Sequence, residues 1–261
     1  MKIRKKLLTG LLTIGMVATL CIGCSSDDDN TFTVGFDAEY PPYGYMDENG
    51  DYTGFDLEVA EEVCKLKGWT LKKQPIAWDS KDNELNSGSI DCIWNGFTIN
   101  GREDKYEWSV PYVDNSQVII VKKNSGINSF ADLKDKNVGV QAASAALDVL
   151  SDTDGQKELA NTFKKLMEFA DYNTAFVELE AGSIDALAMD IGVAQYQIES
   201  RGDNFIILDE HLNAEKYGVG FKLGNTKLRD EVNEALKTLK ENGTFDKLAE
   251  KYGLSDMTCL E

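Results

Sequence analysis

The nine residues Leu85-Asn86-Ser87-Gly88-Ser89-Ile90-Asp91-Cys92-Ile93 return in register, with substitutions, as Leu179-Glu180-Ala181-Gly182-Ser183-Ile184-Asp185-Ala186-Leu187. Each copy reads as a helix end, a Gly-Ser turn and an apolar strand, so the chain is expected to form two similar halves rather than one long core. The surrounding pattern agrees. In the first half, strands are predicted over 32–36, 70–76 and 90–94, with a helix capped by Asp56 and ended by Gly68, and a short helix near 83–86. In the second, strands over 137–140, 166–169, 184–189 and 205–208 alternate with helices over 144–150, 174–181 and 191–201, the first of them capped by Ser144. Such alternation implies α/β architecture with mostly parallel strands. The chain is expected to cross between halves near 118–121 and to return near 209–212. A strand over 216–222, a helix with the apolar stripe Leu228, Val232, Leu236 and Leu239, and a last short helix from Thr244 to Gly253 follow.

Chemistry gathers where the repeated strands end, which is where open α/β sheets bind small molecules. The first strand ends in Asn95-Gly96, a point where the backbone can approach another molecule, followed by the Thr98 hydroxyl and by Arg102. The planar guanidinium suits a carboxylate through two parallel hydrogen bonds. Beside Glu103 and Asp104 it would otherwise be an ordinary surface arginine. The second strand ends in Met189-Asp190, so one half offers a cation and the other an anion. That pair is complementary to the carboxylate and ammonium of a free amino acid.

Other features narrow the function classes. Lys2, Arg4, Lys5 and Lys6 precede an apolar run over 7–20, and Gly23-Cys24 is followed by Ser-Ser-Asp-Asp-Asp. This reads as an export signal over 1–23. The junction resembles a bacterial lipoprotein cleavage site, which implies lipid attachment at Cys24, a tether over 24–30 and a position on the outer face of the cell membrane. Cys21 departs from the leucine usual in that pattern. With 45 acidic against 27 basic residues and a net charge of −18, nucleic acid is not an expected partner. Cys64, Cys92 and Cys259 have no metal-ligand spacing, and a disulfide between two of them is left open. His211 is the single histidine, which argues against Ser-His-Asp and Cys-His catalysis. No cofactor or metal is expected.

The motifs Val34-Gly35-Phe36-Asp37-Ala38-Glu39-Tyr40-Pro41-Pro42-Tyr43, Gly54-Phe55-Asp56-Leu57-Glu58-Val59-Ala60, Gly96-Phe97-Thr98-Ile99-Asn100-Gly101-Arg102, Val138-Gly139-Val140 and the run over 185–190 follow one another in a familiar order and spacing. Across 31–254 the chain resembles the polar amino-acid-binding subunits of bacterial ABC importers, the family 3 extracellular solute-binding proteins. The resemblance implies a two-lobed periplasmic-binding-protein type II fold with a hinge. Lobe 1 would be discontinuous, over 31–116 and 210–261, and lobe 2 would span 117–209. It also implies a monomer that delivers its ligand to a permease and is not an enzyme.

Carried over by position, Arg102 would bind the α-carboxylate with Ser144 and Thr98, and Asp190 the α-ammonium. Tyr40 and Trp78 would sandwich the side chain, Asp37 would approach its far end, and Asn95 and Gly96 would face the same cleft. Carboxylates there favour arginine, lysine or ornithine first and cystine or glutamine second. Two departures stand out: Ala145 replaces a second hydroxyl often present after Ser144, and the segment from Thr98 to Arg102 is one residue shorter than the common form. Alternatives are the ligand-sensing domain of a receptor, disfavoured because no membrane or signalling segment follows Leu254, and an enzyme on the same fold, such as a cyclohexadienyl dehydratase or a lytic glycosidase.

Overall fold

In the computed structural model, which describes residues 30–202 and 204–261, both copies of the repeat fold alike. Gly88 and Gly182 stop their helices in the left-handed region, at φ 80° and 82°, where a residue with a Cβ is strained. Asp91 and Asp185 then grip a neighbouring parallel strand of their own half, β1 (Thr31–Phe36) and the strand Asn137–Gln141. The Asp91 carboxylate accepts from the Thr33 N–H at 2.7 Å, and that of Asp185 from the Asn137 N–H at 2.8 Å. Ile90 and Ile184 pack so closely on Gly35 and Gly139 that a Cβ at either glycine would lie 2.4 or 2.6 Å from the isoleucine Cδ1. The export signal, Cys24 and the tether up to Asp29 lie outside the described residues.

The first half contains β1 (Thr31–Phe36), β2 (Glu39–Tyr40), β3 (Gly44–Met46), β4 (Tyr52–Thr53), α1 (Phe55–Lys67), β5 (Thr70–Pro75), α2 (Lys81–Ser87), β6 (Cys92–Ile93) and β7 (Glu107–Trp108). The second contains β8 (Val113–Lys122), β9 (Asn137–Gln141), α3 (Ala145–Ser151), α4 (Lys157–Ala160), β10 (Lys165–Phe169), α5 (Tyr172–Ala181), β11 (Ala186–Asp190), α6 (Ile191–Arg201) and β12 (Phe205–Tyr217). The chain ends with β13 (Gly220–Phe221), α7 (Thr226–Glu241) and α8 (Thr244–Lys251). One five-stranded sheet has the order β5-β1-β6-β13-β7 and the other β10-β9-β11-β8-β12, while β2, β3 and β4 form a small antiparallel sheet. Because β13 joins the first sheet, the first lobe is built from both ends of the chain.

Each lobe closes on its own apolar faces. Helix α1 buries Leu57, Val59, Ala60, Val63 and Cys64, and α7 buries Val232, Ala235, Leu236 and Leu239 in the same core. A fully buried aliphatic side chain contributes about 1.5–3 kcal/mol, so this helix pair is a principal support of the first lobe. In the second lobe Ile119, Val121, Val138, Val140, Ala186 and Ala188 form the inner face of the sheet. Cys64, Cys92 and Cys259 are free thiols.

Four expectations change. The strand expected over 205–208 runs on through 209–212 as β12, antiparallel to β8 and with two register irregularities flanking His211. The sheets are accordingly mixed, since β8 is antiparallel to both of its neighbours. The strand expected over 216–222 is divided between β12 and β13, with Gly218 at the break donating to the Phe97 carbonyl. Finally, Asp56 does not cap α1. The cap position is Gly54, whose φ of 130° and contact with the Tyr43 carbonyl exclude a side chain, and Asp56 turns inward.

Candidate functional site

The ends of β6 and β11 meet across the interlobe cleft. Around a small cavity between them stand Tyr40, Trp78, Gly96, Thr98 and Arg102 from the first lobe, and Gln141, Ser144, Ala145 and Asp190 from the second. The cavity measures about 10 Å³, close to the minimum for one water molecule. Contacts across the cleft hold the lobes together. Arg102 Nη2 meets Asp148 Oδ2 at 2.7 Å, Lys81 Nζ donates to the Ala143 carbonyl at 3.2 Å, and Gln141 Nε2 donates to Asp37 Oδ2 at 2.7 Å.

Local geometry explains why these residue types stand here. Gly96 has φ 56°, and a Cβ would lie 2.9 Å from the Tyr40 ring; its N–H donates to Asp56 Oδ2 at 2.6 Å. The Arg102 guanidinium lies over the Phe97 ring, 5.3 Å from its centroid. Trp108 Nε1 anchors the Arg102 carbonyl at 3.0 Å. Ser144 is the N-cap of α3, and its Oγ accepts from the Leu147 N–H at 3.2 Å, which leaves its own O–H to donate elsewhere. Trp78 packs edge-on against Phe97 at 5.5 Å, and Tyr40 lies 5.9 Å from both Tyr43 and Tyr172.

Beneath the cavity the pairing of β8 with β11 and β12 brings together two carboxylates and two amides. Register places Gln117 between Asp190 and Asn213, and Asn115 opposite Glu215. Asp190 Oδ1 accepts from Asn115 Nδ2 at 2.9 Å, Gln117 Nε2 at 2.6 Å and the Tyr217 hydroxyl at 2.5 Å. Glu215 Oε1 accepts from the same amides at 2.7 and 2.8 Å and from Thr98 Oγ1 at 2.9 Å, while Oε2 accepts from Asn213 Nδ2 at 3.1 Å. Both carboxylates are buried, 3% and 4% exposed, and among the described residues neither has a basic partner. Burial, and then the charge of Asp190, raise the Glu215 carboxyl above its ordinary range.

Tyr40, Trp78, Gly96, Thr98, Arg102, Ser144 and Asp190 therefore surround one cavity. Asp37 and Asn95 do not line it. The Asp37 carboxylate is held by Gln141 and the Glu39 N–H, and burial pushes it up to about 6. Asn95 is buried against Gly44, whose missing Cβ makes room for the amide. Glu39, on the rim, accepts from Asn173 of the opposite lobe.

Sequence reasoning missed Gln141, Glu215, Asn115, Gln117 and Lys81. Gln141 carries a readable signal, since it ends the strand that corresponds to β1 and so occupies a strand-end position. Lys81 is buried beside Trp78, 5.0 Å from the ring centroid; burial, and then the nearby Arg102, bring its ammonium down to about 8. A larger groove of about 450 Å³ beside β8 and β12 is lined in part by Asp114, Lys216 and Asp256. It offers no comparable convergence, because Lys216 is already paired with Asp114.

Comparison with known proteins identifies the family and the fold. The model of the family described as bacterial extracellular solute-binding proteins, family 3, matches residues 32–255. The L-cystine-binding protein TcyJ of Escherichia coli (strain K12) is 28% identical over 267 residues, covering 97% of each chain. Among solved structures, an ABC uptake transporter substrate-binding protein from Streptococcus pneumoniae with bound histidine aligns with TM-score 0.84 and 32% identity, over 88% of this chain and 95% of that one. An ancestral arginine-binding protein bound to glutamine aligns with TM-score 0.79 and 35% identity, over 86% and 98%. These structures share the two-lobed architecture.

Proposed function

Because the chain belongs to the bacterial extracellular solute-binding proteins of family 3, we propose that it takes up a free amino acid between its lobes and presents it to the permease of an ABC importer. The observation that carries this reading is the presence of Arg102 and Asp190, from opposite lobes, in the wall of one cavity. Arg102 spends one nitrogen on Asp148 and keeps its other N–H groups for the ligand carboxylate. The Ser144 hydroxyl, whose proton is not used on Leu147, joins it, and Asp190 takes the ammonium. Tyr40 and Trp78 are the aromatic walls for the side chain.

For the side chain, arginine, lysine or ornithine ranks first and cystine or glutamine second. Asp37 stands directly behind Gln141 and supplies negative character at that end, while the Gln141 amide suits a hydrogen-bonding group equally well. The relatives, which carry cystine, histidine, arginine or glutamine in their names, support the polar amino-acid class. The lobe boundaries of this reading are 31–116 with 210–261, and 117–209. The hinge is the β8 and β12 pair, and closure follows ligand contact with both lobes. The leader ending at Gly23-Cys24 supports an exported protein tethered through lipid at Cys24.

A thermal-shift screen over the common amino acids and cystine, followed by calorimetry on Arg102→Ala and Asp190→Ala, tests the reading. Ligand that binds only the folded state raises the melting temperature. Each variant is expected to lose about 2–5 kcal/mol of binding, because a ligand charge is left unpaired in a partly desolvated site. Wild-type affinity in either folded variant removes that residue from the site. Turnover of prephenate without amino-acid binding would replace the transport reading with an enzymatic one.

A further inference from the structure

Thr98 and Ser144, the two aliphatic hydroxyls of the cavity, have opposite hydrogen-bonding roles. Ser144 accepts from a backbone amide and has its proton to give. Thr98 gives its proton to Glu215 Oε1, which already receives two amide donors and is therefore an acceptor. Toward the cavity, Thr98 has only lone pairs. It cannot assist Arg102 with a carboxylate, but it can accept from an ammonium.

We propose that Glu215 is a positioning residue of the ammonium end of the site, orienting Thr98 as an acceptor and forming with Asp190 a floor of two buried carboxylates that a ligand ammonium completes. This inference rests on the amino-acid-binding reading.

The groups facing Glu215 make the argument complete. Asp190 from β11 is the nearest charge that acts on it. Asn115 and Gln117 from β8 and Asn213 on β12 are neutral donors. Tyr217 on β12, Tyr43 beside β3, Tyr172 on α5 and, facing Asp190, Tyr40 on β2 are phenols that stay neutral, because burial raises all four. No described cation sits among these partners, so burial and the neighbouring Asp190 make Glu215 hold its proton above the ordinary carboxylate range. A ligand ammonium supplies the missing positive charge, Glu215 ionises, and the displaced proton goes to solvent. A neutral isostere of the ammonium gains nothing from the pair, which makes Glu215 a discriminator between amino acids and their deaminated or N-acylated analogues.

The sign follows directly. A proton that must leave Glu215 on binding makes affinity rise with pH through the raised pKa of that carboxyl and fall below it, by up to about tenfold per pH unit. The experiment is titration calorimetry with L-arginine, L-cystine and L-glutamine from about pH 5 to about pH 8, in buffers of different ionisation enthalpy so that released protons are counted. Wild-type protein is expected to release a proton at the acidic end and to bind more tightly as pH rises. In Glu215→Gln, which keeps an acceptor for Thr98, the release should vanish and the pH profile flatten, with affinity at the alkaline end about tenfold weaker.

A merely structural Glu215 would lower the melting temperature of the variant and leave proton count and profile as in wild type, which overturns the inference. If Glu215→Gln does not fold, the wild-type count decides, and no proton release at any pH overturns it equally. A wild type that binds none of the three ligands fails the functional reading itself, and the inference falls with it.

Discussion

The two copies of the repeat are held in the same way and then diverge. Up to the strand they match atom for atom in kind: a left-handed glycine stops the helix, an isoleucine fills the space above a glycine, and an aspartate binds the start of the neighbouring strand. Beyond the strand, the first copy buries a carboxylate behind Gly96, where Asp56 accepts from the Gly96 N–H and the Tyr112 hydroxyl and never reaches the cavity. The second copy ends on Asp190, whose carboxylate lines the cavity. Neither carboxylate has a cation beside it among the described residues. One is enclosed and serves the lobe; the other is open to a ligand. Burial of an unpaired acid therefore marks a binding site only where the acid also faces a space.

The widest separation between the two copies should come from Asp56→Ala. It leaves a buried N–H and a buried hydroxyl unpaired, at about 1–3 kcal/mol each, so denaturant unfolding should show a loss of about 2–6 kcal/mol. The affinity of the folded fraction should stay within a few fold of wild type, unlike that of Asp190→Ala. A large loss of affinity at unchanged stability would break the distinction.

The pH dependence sharpens the same contrast. Burial pushes Asp56 from 3.8 up to about 7, so the folded state holds this proton to higher pH than the unfolded chain does. Its contribution is fully present below about 3.8 and is lost as pH rises through about 7, at up to about 1.4 kcal/mol per pH unit. Asp37, raised to about 6 by burial, acts in the same direction. Urea midpoints across this range should fall with rising pH in wild type and fall less in Asp56→Asn.

Smaller and symmetric effects should come from the matched parts. Gly35→Ala and Gly139→Ala each drive a methyl into an isoleucine and should cost about 1–3 kcal/mol by the penalty for overpacking. Asp91→Ala and Asp185→Ala each remove one charged acceptor from a strand N–H and should cost about 1–2 kcal/mol. Thermal unfolding of the four variants checks the equivalence. Unequal values within either pair would show that the copies are alike in sequence but not in load.

Much of this architecture was legible because its signals are local. Gly88 and Gly182, the stripe on α7 and the Ser144 cap depend on residues a few positions apart, and each forms where the pattern places it. Arg102 and Asp190 were legible because they stand at the ends of repeated strands. The length of β12 was not: the stretch over 205–217 contains polar and charged residues that break strand alternation, and only pairing with β8, about a hundred residues earlier, makes it one continuous strand.

By itself the sequence determined two similar α/β halves, the strand ends that carry an arginine and an aspartate, and the family to which the chain belongs. Tertiary structure decided which carboxylates meet. Asp56 was drawn from a cap into the core because Gly54 took the cap, and Asp37 was bound by Gln141 from the opposite lobe. Glu215 came to Asp190 through a register between strands that neither segment encodes alone. The physical reason is range: caps, turns and apolar periodicity are set by neighbours along the chain, whereas the partners of a buried charge are set by whatever the folded lobes bring within a few ångströms of it.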